Sequence, residues 1–292
     1  MLLLTGATGL VGSTLLGRLV AQGADVRCLV RDPRRLGAQR VRVQIALGDL
    51  TDPPSFRNAL RGVQTVVHLA ASIRDQPSSS IEELNGIATW RMVEAAERQG
   101  VERFVFFSAL GASTHHRTRC LRAKALAEQA VTEASLCSIV FAPSIIYAPG
   151  DPWLALLERL ALLPAMPVSG RGRALFQPIW AEDVADCVLA ALGQPAAPVR
   201  RYELAGPETL SHSDMIRVLL RSLNRRRPLI TVPTPIVSRS LRLLERAAGP
   251  RAFATWDEAE LMEVAMTSTR GTADAQALGV RPQRMAAVLG TR

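Results

Sequence analysis

The stretch Met1-Leu-Leu-Leu-Thr-Gly-Ala-Thr-Gly-Leu-Val-Gly12 decides how the rest of this chain is read. Leu2 to Leu4 form a wholly apolar run, the pattern of a central parallel strand covered on both faces. Gly6, Gly9 and Gly12 follow three residues apart and open a helical pattern through Leu15, Leu16, Leu19 and Val20. Gly6 permits the tight turn, Gly9 lets the backbone approach a pyrophosphate, and Gly12 lets helix and strand pack closely. Free N–H groups around Thr8, Gly9 and Leu10, at the positive end of the helix dipole, then hold phosphate. Strand, glycine turn and helix in this order predict a nucleotide site at the very start of the fold.

Composition narrows the classes. At 292 residues with 48% hydrophobic and 21% charged residues, the chain has the make-up of an ordinary globular protein. No apolar run reaches the roughly 18 residues of a membrane span. Met1 leads straight into the first strand, which leaves no room for a signal peptide and predicts a cytoplasmic protein. Cys28, Cys120, Cys137 and Cys187 are too far apart for a zinc site, so no metal is expected. The net charge of +9 raises the question of nucleic acid. With 4% aromatic residues and no stacking or helix-turn-helix motif, the charge reads instead as an arginine-rich surface. All 35 basic residues except Lys124 are arginine, so the identity of position 124 carries information.

A second strand over 25–30 leads into Arg31-Asp-Pro-Arg-Arg35. The residue at this strand tip, about 20 positions beyond the glycines, selects the cofactor: a carboxylate holds a ribose hydroxyl of NAD, while arginine accepts the 2′-phosphate of NADP. Arg31, with Arg34 and Arg35 behind it, favours NADP(H) over NAD(H); Asp32 keeps the ribose alternative open. Val41 to Leu47 read as a third strand ending in Gly48-Asp-Leu50, and Asp52-Pro-Pro caps a helix to Leu60. Thr65 to Leu69 form a fourth strand that ends His68-Leu-Ala-Ala71, where small residues let a cofactor lie across the strand tips. His68 reads as packed rather than catalytic. A loop over 72–80 precedes a long helix from Ile81 to Gln99 carrying Asn85; Phe104 to Ser108, a helix from Cys120 to Ala134 with Lys124, and Cys137 to Phe141 follow. Alternation through six strands predicts an α/β fold, a Rossmann-type doubly wound parallel sheet over 1–149. The remainder, 150–292, reads as a smaller, mostly helical substrate-binding portion, with helices near 153–163, 182–192, 213–223, 235–248 and 257–266. A strand near 202–205 rejoins the sheet.

The segments Thr5-Gly-Ala-Thr-Gly-Leu-Val-Gly12, Gly48-Asp-Leu50, His68-Leu-Ala-Ala71, Asn85-Gly86 and Arg103-Phe-Val-Phe-Phe-Ser108 resemble, in this order, the extended and atypical short-chain dehydrogenase/reductase superfamily. Ala142-Pro-Ser-Ile-Ile-Tyr-Ala-Pro-Gly-Asp151, Gln177-Pro-Ile-Trp-Ala-Glu-Asp-Val-Ala185 and Tyr202-Glu-Leu-Ala-Gly-Pro207 continue the match over most of the chain. The resemblance implies that Asp49 and Leu50 lie beside the adenine. It also implies that Leu69, Ala70, Ala71, Ser108 and Pro143 border the cofactor, and that Lys124 holds the nicotinamide ribose. Active members carry a tyrosine four residues before that lysine as proton donor; here the position is Cys120, read as an apolar packing residue or as a weak thiol donor. The assisting serine falls at Ala109, with Ser108 one place early. Asn85 matches the family's helix-bending asparagine. From Ser108 to Lys124 the chain is most similar to the NmrA-like branch, the group that includes the NADPH-binding accessory subunit of respiratory complex I and its bacterial relatives.

Two functions follow. One is an NADP(H)-binding protein with weak or no dehydrogenase chemistry, in a sensing or accessory role. The other is an NADP-dependent reductase or epimerase on a hydrophobic carbonyl substrate, its proton coming from water, Cys120 or a residue such as Tyr147. His115 and His116 read as exposed loop residues. A helix over 236–248 would gather Arg239, Arg242 and Arg246 opposite an apolar stripe, a face for an acidic protein partner or an anionic membrane surface, which places the protein in the cytoplasm or at a membrane periphery.

Overall fold

A computed structural model describes residues 1–77, 79–195, 199–233, 235–241 and 255–290. The chain runs β1 (Leu2–Thr5), α1 (Leu10–Ala21), β2 (Val26–Val30), β3 (Gln44–Leu47), α2 (Pro53–Phe56), β4 (Thr65–His68), α3 (Ala88–Arg98), β5 (Arg103–Phe107), α4 (Arg119–Glu133) and β6 (Cys137–Pro143). The second half follows as β7 (Ile146–Tyr147), α5 (Pro152–Leu160), β8 (Met166–Ser169), β9 (Leu175–Phe176), β10 (Ile179–Trp180), α6 (Ala181–Leu192), β11 (Val199–Leu204), β12 (Leu210–Ser211), α7 (His212–Ser222), β13 (Leu229–Val232), α8 (Trp256–Leu261), α9 (Ala273–Ala277) and α10 (Met285–Gly290).

Seven of these strands make one parallel sheet in the order β11-β6-β5-β4-β1-β2-β3. This is the doubly wound α/β fold. β1 has β2 on one side and β4 on the other, so the connections leave in opposite directions and a crevice opens at their carboxyl ends. The buried runs of β1, β4, β5 and β6 show why the middles of these strands are mostly apolar. Helices α1 and α6 cover one face, with Leu15, Leu16, Leu19, Val184 and Val188 in the core. On the opposite face Phe56, Met92, Val93, Ala127 and Val131 do the same. Burial of each large side chain contributes roughly 1.5–3 kcal/mol. A third core, around Tyr147, Leu154, Phe176, Met215 and Ile216, belongs to the second half.

Several local expectations are corrected. β3 begins at Gln44 rather than Val41, because Pro33–Val41 coils into 3₁₀ turns broken at Gly37, whose φ is +57°. The Asp52 side chain makes no cap: Pro54 has no N–H to give, and the Ser55 N–H bonds the Asp52 carbonyl oxygen at 3.0 Å. The helix it precedes is α-helical only to Phe56 and 3₁₀ from Arg57 to Leu60. The expected helix from Ile81 to Gln99 contains a π-helical turn, Glu83–Ile87. The expected helix from Asp257 to Met266 stops at Leu261; Met266 instead bridges Phe176, its N–H reaching the Leu175 carbonyl at 2.9 Å. Residues 235–241 are helical, whereas the continuation carrying Arg242 and Arg246 lies outside the described residues.

Candidate functional site

The crevice at the β1 switch point is a cleft of about 650 Å³. Its floor is the glycine turn. Gly6 has φ +71°, and a Cβ there would stand 2.6 Å from the Ala70 nitrogen. A Cβ on Gly12 would fall inside the contact radius of the Gly6 carbonyl oxygen. Both positions therefore require glycine, one for its backbone angle and both for close approach. No side chain caps α1 and no carboxylate sits in its first turn, so the dipole's positive end faces the cleft unopposed.

Of the cofactor residues expected from sequence, Gly6, Thr8, Gly9, Arg31, Arg35, Asp49, Leu50, Leu69, Ala70 and Ala71 line this cleft. Gly12 stands behind the turn as a spacer, and Leu10, Ser108, Lys124 and Pro143 do not line it. Sequence reasoning passed over Ser72, Gln76 and Leu84, which come from the loop after β4 and from the π-helical turn. No local motif marks them; tertiary folding alone brings them to the cleft.

At the adenosine end the two rival selectors have different surroundings. The Asp32 carboxylate accepts the Arg34 backbone N–H at 3.0 Å and so caps the 3₁₀ turn. Arg31, Asp32 and Arg35 all line the cleft, and among the described residues neither arginine has a carboxylate partner. Asp49 is also engaged locally, its Oδ1 accepting the N–H and hydroxyl of Thr51, each at 2.9 Å.

Outside this lining, β5 leads into Ser108 and α4 carries Lys124. Lys124 is buried, donates to the Phe107 carbonyl at 2.5 Å, and has its ammonium 5.0 Å from the centre of the Phe106 ring. Burial lowers its pKa to about 8. Ser108, next to that carbonyl, is buried with a hydroxyl that has no hydrogen-bond partner. Such a group calls for a ligand or water. The glycine cradle and the uncapped helix fit the phosphates of a dinucleotide in the cleft, whereas Ser108 and Lys124 are not among the residues that line it.

Proton-transfer groups are poorly provided. Cys120 is buried in the third core; burial raises its thiol pKa, which Lys124 opposes. Tyr147 is fully buried and its hydroxyl lacks a partner, with its pKa raised chiefly by burial. His68 is packed between Thr5 and Thr89, with contacts of 2.9 and 3.1 Å, and burial lowers its pKa to about 3. His115 is exposed, and His116 bonds Thr118 rather than reaching inward. Asn85 has its carboxamide fully engaged: Oδ1 accepts the Ser72 N–H at 3.1 Å, and Nδ2 donates to the Ser72 and Ile81 carbonyls at 2.6 and 2.9 Å. It positions the loop that carries Ser72 and Gln76 along the cleft.

An ion-pair belt ties α4 and the loop after β4 to α8. Arg119 meets Asp75 and Glu82 at 2.9 and 2.7 Å, and Asp257 of α8 at 3.5 Å. Arg74 meets Glu258 at 2.5 Å. The guanidinium of Arg119 holds the Glu82 carboxyl down at about 2.

The sequence profile of the NAD(P)H-binding family matches residues 6–195. The mitochondrial NADH dehydrogenase [ubiquinone] 1 alpha subcomplex subunit 9 of Arabidopsis thaliana is 28% identical over 260 residues, covering 85% of this chain and 62% of its own length. The chain thus spans less than two thirds of that relative. The ceramide reductase of Caulobacter vibrioides is 26% identical, covering 80% of this chain and 73% of its own. In fold, a nucleoside-diphosphate-sugar epimerase from Staphylococcus aureus superposes with a TM-score of 0.80 at 18% identity, over 99% of each chain.

Proposed function

This chain belongs to the NAD(P)H-binding family, in the atypical, NmrA-like branch of the short-chain dehydrogenase/reductase superfamily, and from that premise we propose that it binds NADP(H) as a retained ligand with weak or no standard dehydrogenase chemistry. The observation that carries the reading is the pairing of an intact cradle with a disabled proton relay. Gly6, Gly9 and Gly12 remain, whereas the donor position before Lys124 holds Cys120, whose buried thiol resists ionisation.

When bound, the nicotinamide supplies or accepts a hydride. The chain's own groups would do the rest. Arg31 and Arg35 would grip the 2′-phosphate, and the amides at the start of α1 the pyrophosphate. Lys124 would orient the nicotinamide ribose, and Ser108 would offer its hydroxyl to the same end. No described side chain in this arrangement delivers a proton as a lysine-assisted tyrosine would. A sensing or accessory role fits such a site, and by analogy so does the complex I subunit relative.

Mass spectrometry of the nucleotide released on denaturation tests the reading, with NADP(H) expected; NAD(H) alone would overturn the cofactor assignment. Arg31→Asp should reverse the preference. It removes a charge-assisted contact to phosphate, about 1.5–3 kcal/mol, and sets a carboxylate beside the ribose. Titration of both nucleotides reads the switch, and an unchanged order would exclude Arg31 as selector. For the chemistry, the nicotinamide absorbance of the NADPH complex should persist in a panel of hydrophobic aldehydes and ketones, with Cys120→Ala behaving as wild type. Turnover that Cys120→Ala abolishes would reverse this conclusion.

One observation favours the second reading, a working reductase on a hydrophobic carbonyl. The Tyr147 hydroxyl is buried and unpartnered inside an apolar core, and a substrate oxygen could satisfy it. The relative that is a ceramide reductase keeps this reading in play. Turnover lost in Tyr147→Phe but kept in Cys120→Ala would select it.

A further inference from the structure

Away from the cleft, the second half carries a surface whose chemistry the nucleotide does not use. Helix α7 ends at Ser222; two residues on, the Asn224 backbone turns left-handed at φ 53°, and the chain doubles back through Arg225-Arg-Arg227. The turn is fastened: Asn224 N–H bonds the Arg221 carbonyl at 2.9 Å and Arg225 N–H the Leu220 carbonyl at 2.8 Å. Arg225 and Arg227 both reach across to one acceptor, the Ala161 carbonyl at the end of α5, at 3.0 and 3.3 Å. That clasp sets the arginines beside the tip formed by Leu162 and Leu163.

The patch is unusual in two ways. A shallow depression of about 440 Å³ is lined by five arginines together with Leu220 and Pro228. Arg217 is paired with Asp214 at 2.8 Å, but among the described residues no carboxylate pairs with Arg221, Arg225, Arg226 or Arg227. Four guanidiniums held together without counter-charge repel one another, which a fold tolerates where an external anion neutralises them. Beside them Leu162 is 63% and Leu163 45% exposed, and Ile230 on the adjoining β13 is 54% exposed. The belt around Arg119 shows the contrast, since there the guanidinium is set against three carboxylates.

We propose that this face docks on an anionic phospholipid membrane surface, the arginines on the lipid phosphates and the Leu162-Leu163 tip in the interface. Guanidinium forks match phosphate oxygens in charge and geometry. Exposed leucines at the tip of a turn gain little from a purely ionic partner, but they enter the boundary between headgroups and acyl chains favourably. Among the described residues no helix is long and apolar enough to cross a membrane. The contact is independent of the cofactor assignment, since none of these residues lines the cleft.

The test is sedimentation of the full chain with vesicles of phosphatidylcholine alone and of phosphatidylcholine mixed equally with phosphatidylglycerol. Wild type should sediment with the mixed vesicles only, and less so as salt rises. Arg221→Glu/Arg226→Glu, both at exposed and unpaired positions, should weaken binding about thirtyfold or more, taking the worth of each surface arginine from anionic bilayers. Leu162→Ser/Leu163→Ser should weaken it several-fold and make the remainder more salt-sensitive. Dinucleotide titration of both variants confirms folding. Equal binding to neutral vesicles, binding unaffected in both variants, or no sedimentation at low salt would overturn the proposal. So would retention of an acidic protein at this face without any vesicle binding, since the face would then be a protein interface.

Discussion

Gly12→Ala abolishes dinucleotide binding and lowers stability by about 3 kcal/mol or more. The added methyl group meets the backbone of Gly6 and Ala7, not a flexible side chain. Relief therefore requires α1 to back away from β1 or the glycine turn to open. The first loosens Leu15, Leu16 and Leu19 from the core. The second displaces the amides that face the phosphates. Two measurements separate the consequences: chemical unfolding of the free protein, and nucleotide titration under conditions where the variant is still folded. Gly17→Ala is the control, because a Cβ there finds only the end of the Gln39 side chain, at 3.9 Å. A Gly12→Ala protein that binds nucleotide like Gly17→Ala would refute the steric account of the motif.

The second large effect is expected on acidification. Burial and the nearby Lys124 lower the His68 pKa to about 3, and burial lowers that of His212 to about 4. In the unfolded chain both titrate near 6.5. Below that pH the unfolded state takes up two protons that the folded state refuses, so stability falls as pH drops from about 6.5 towards 4. The slope is at most about 2.7 kcal/mol per pH unit over that interval. Buried Asp151 and Asp183, with raised pKa values, work in the opposite direction. Lys124 contributes in a separate window, between about 8 and its unfolded value, where stability rises with pH. Urea unfolding at pH 7, 6 and 5 should show a steep decline, and His68→Gln should remove about half of the slope. Stability constant from pH 7 to 5 would mean that the histidines are not buried as described.

Much of this architecture was legible because one residue type often had one possible reason. Three glycines after an apolar run, with a helical repeat behind them, leave few folds to choose from. A single lysine in an arginine-rich chain drew attention to position 124, but its donation to the Phe107 carbonyl was not legible there. What escaped reading depended on contacts across the fold. Asn85 appears in sequence as a polar residue in a long helix. Its pull on Ser72, 13 residues away, accompanies a π-helical turn that local periodicity does not announce. Gln76 and Leu84 reach the cleft only because that loop and that turn converge there. Trp256 to Met266 has helical propensity throughout, yet it yields after Leu261 to pairing with β9. Asp52 resembled a cap, but two prolines removed a donor it needed. The bond by which the Asp32 carboxylate accepts the Arg34 N–H was not legible either, since it depends on the 3₁₀ turn that follows β2.

β11 carries a consequence for how the chain keeps itself from self-association. The cofactor-family match ends at residue 195, yet β11 pairs with β6 at every position from Val199↔Ser138 to Leu204↔Pro143. β6 is buried along nearly all its length, and its centre, Ser138-Ile-Val-Phe-Ala142, is apolar but for one serine. Stripped of β11, it would present a flat, sticky row of unpaired N–H and C=O groups, the template on which chains stack into cross-β aggregates. The second half of the chain therefore completes the sheet of the first: the strand that covers β6 arrives from beyond residue 195.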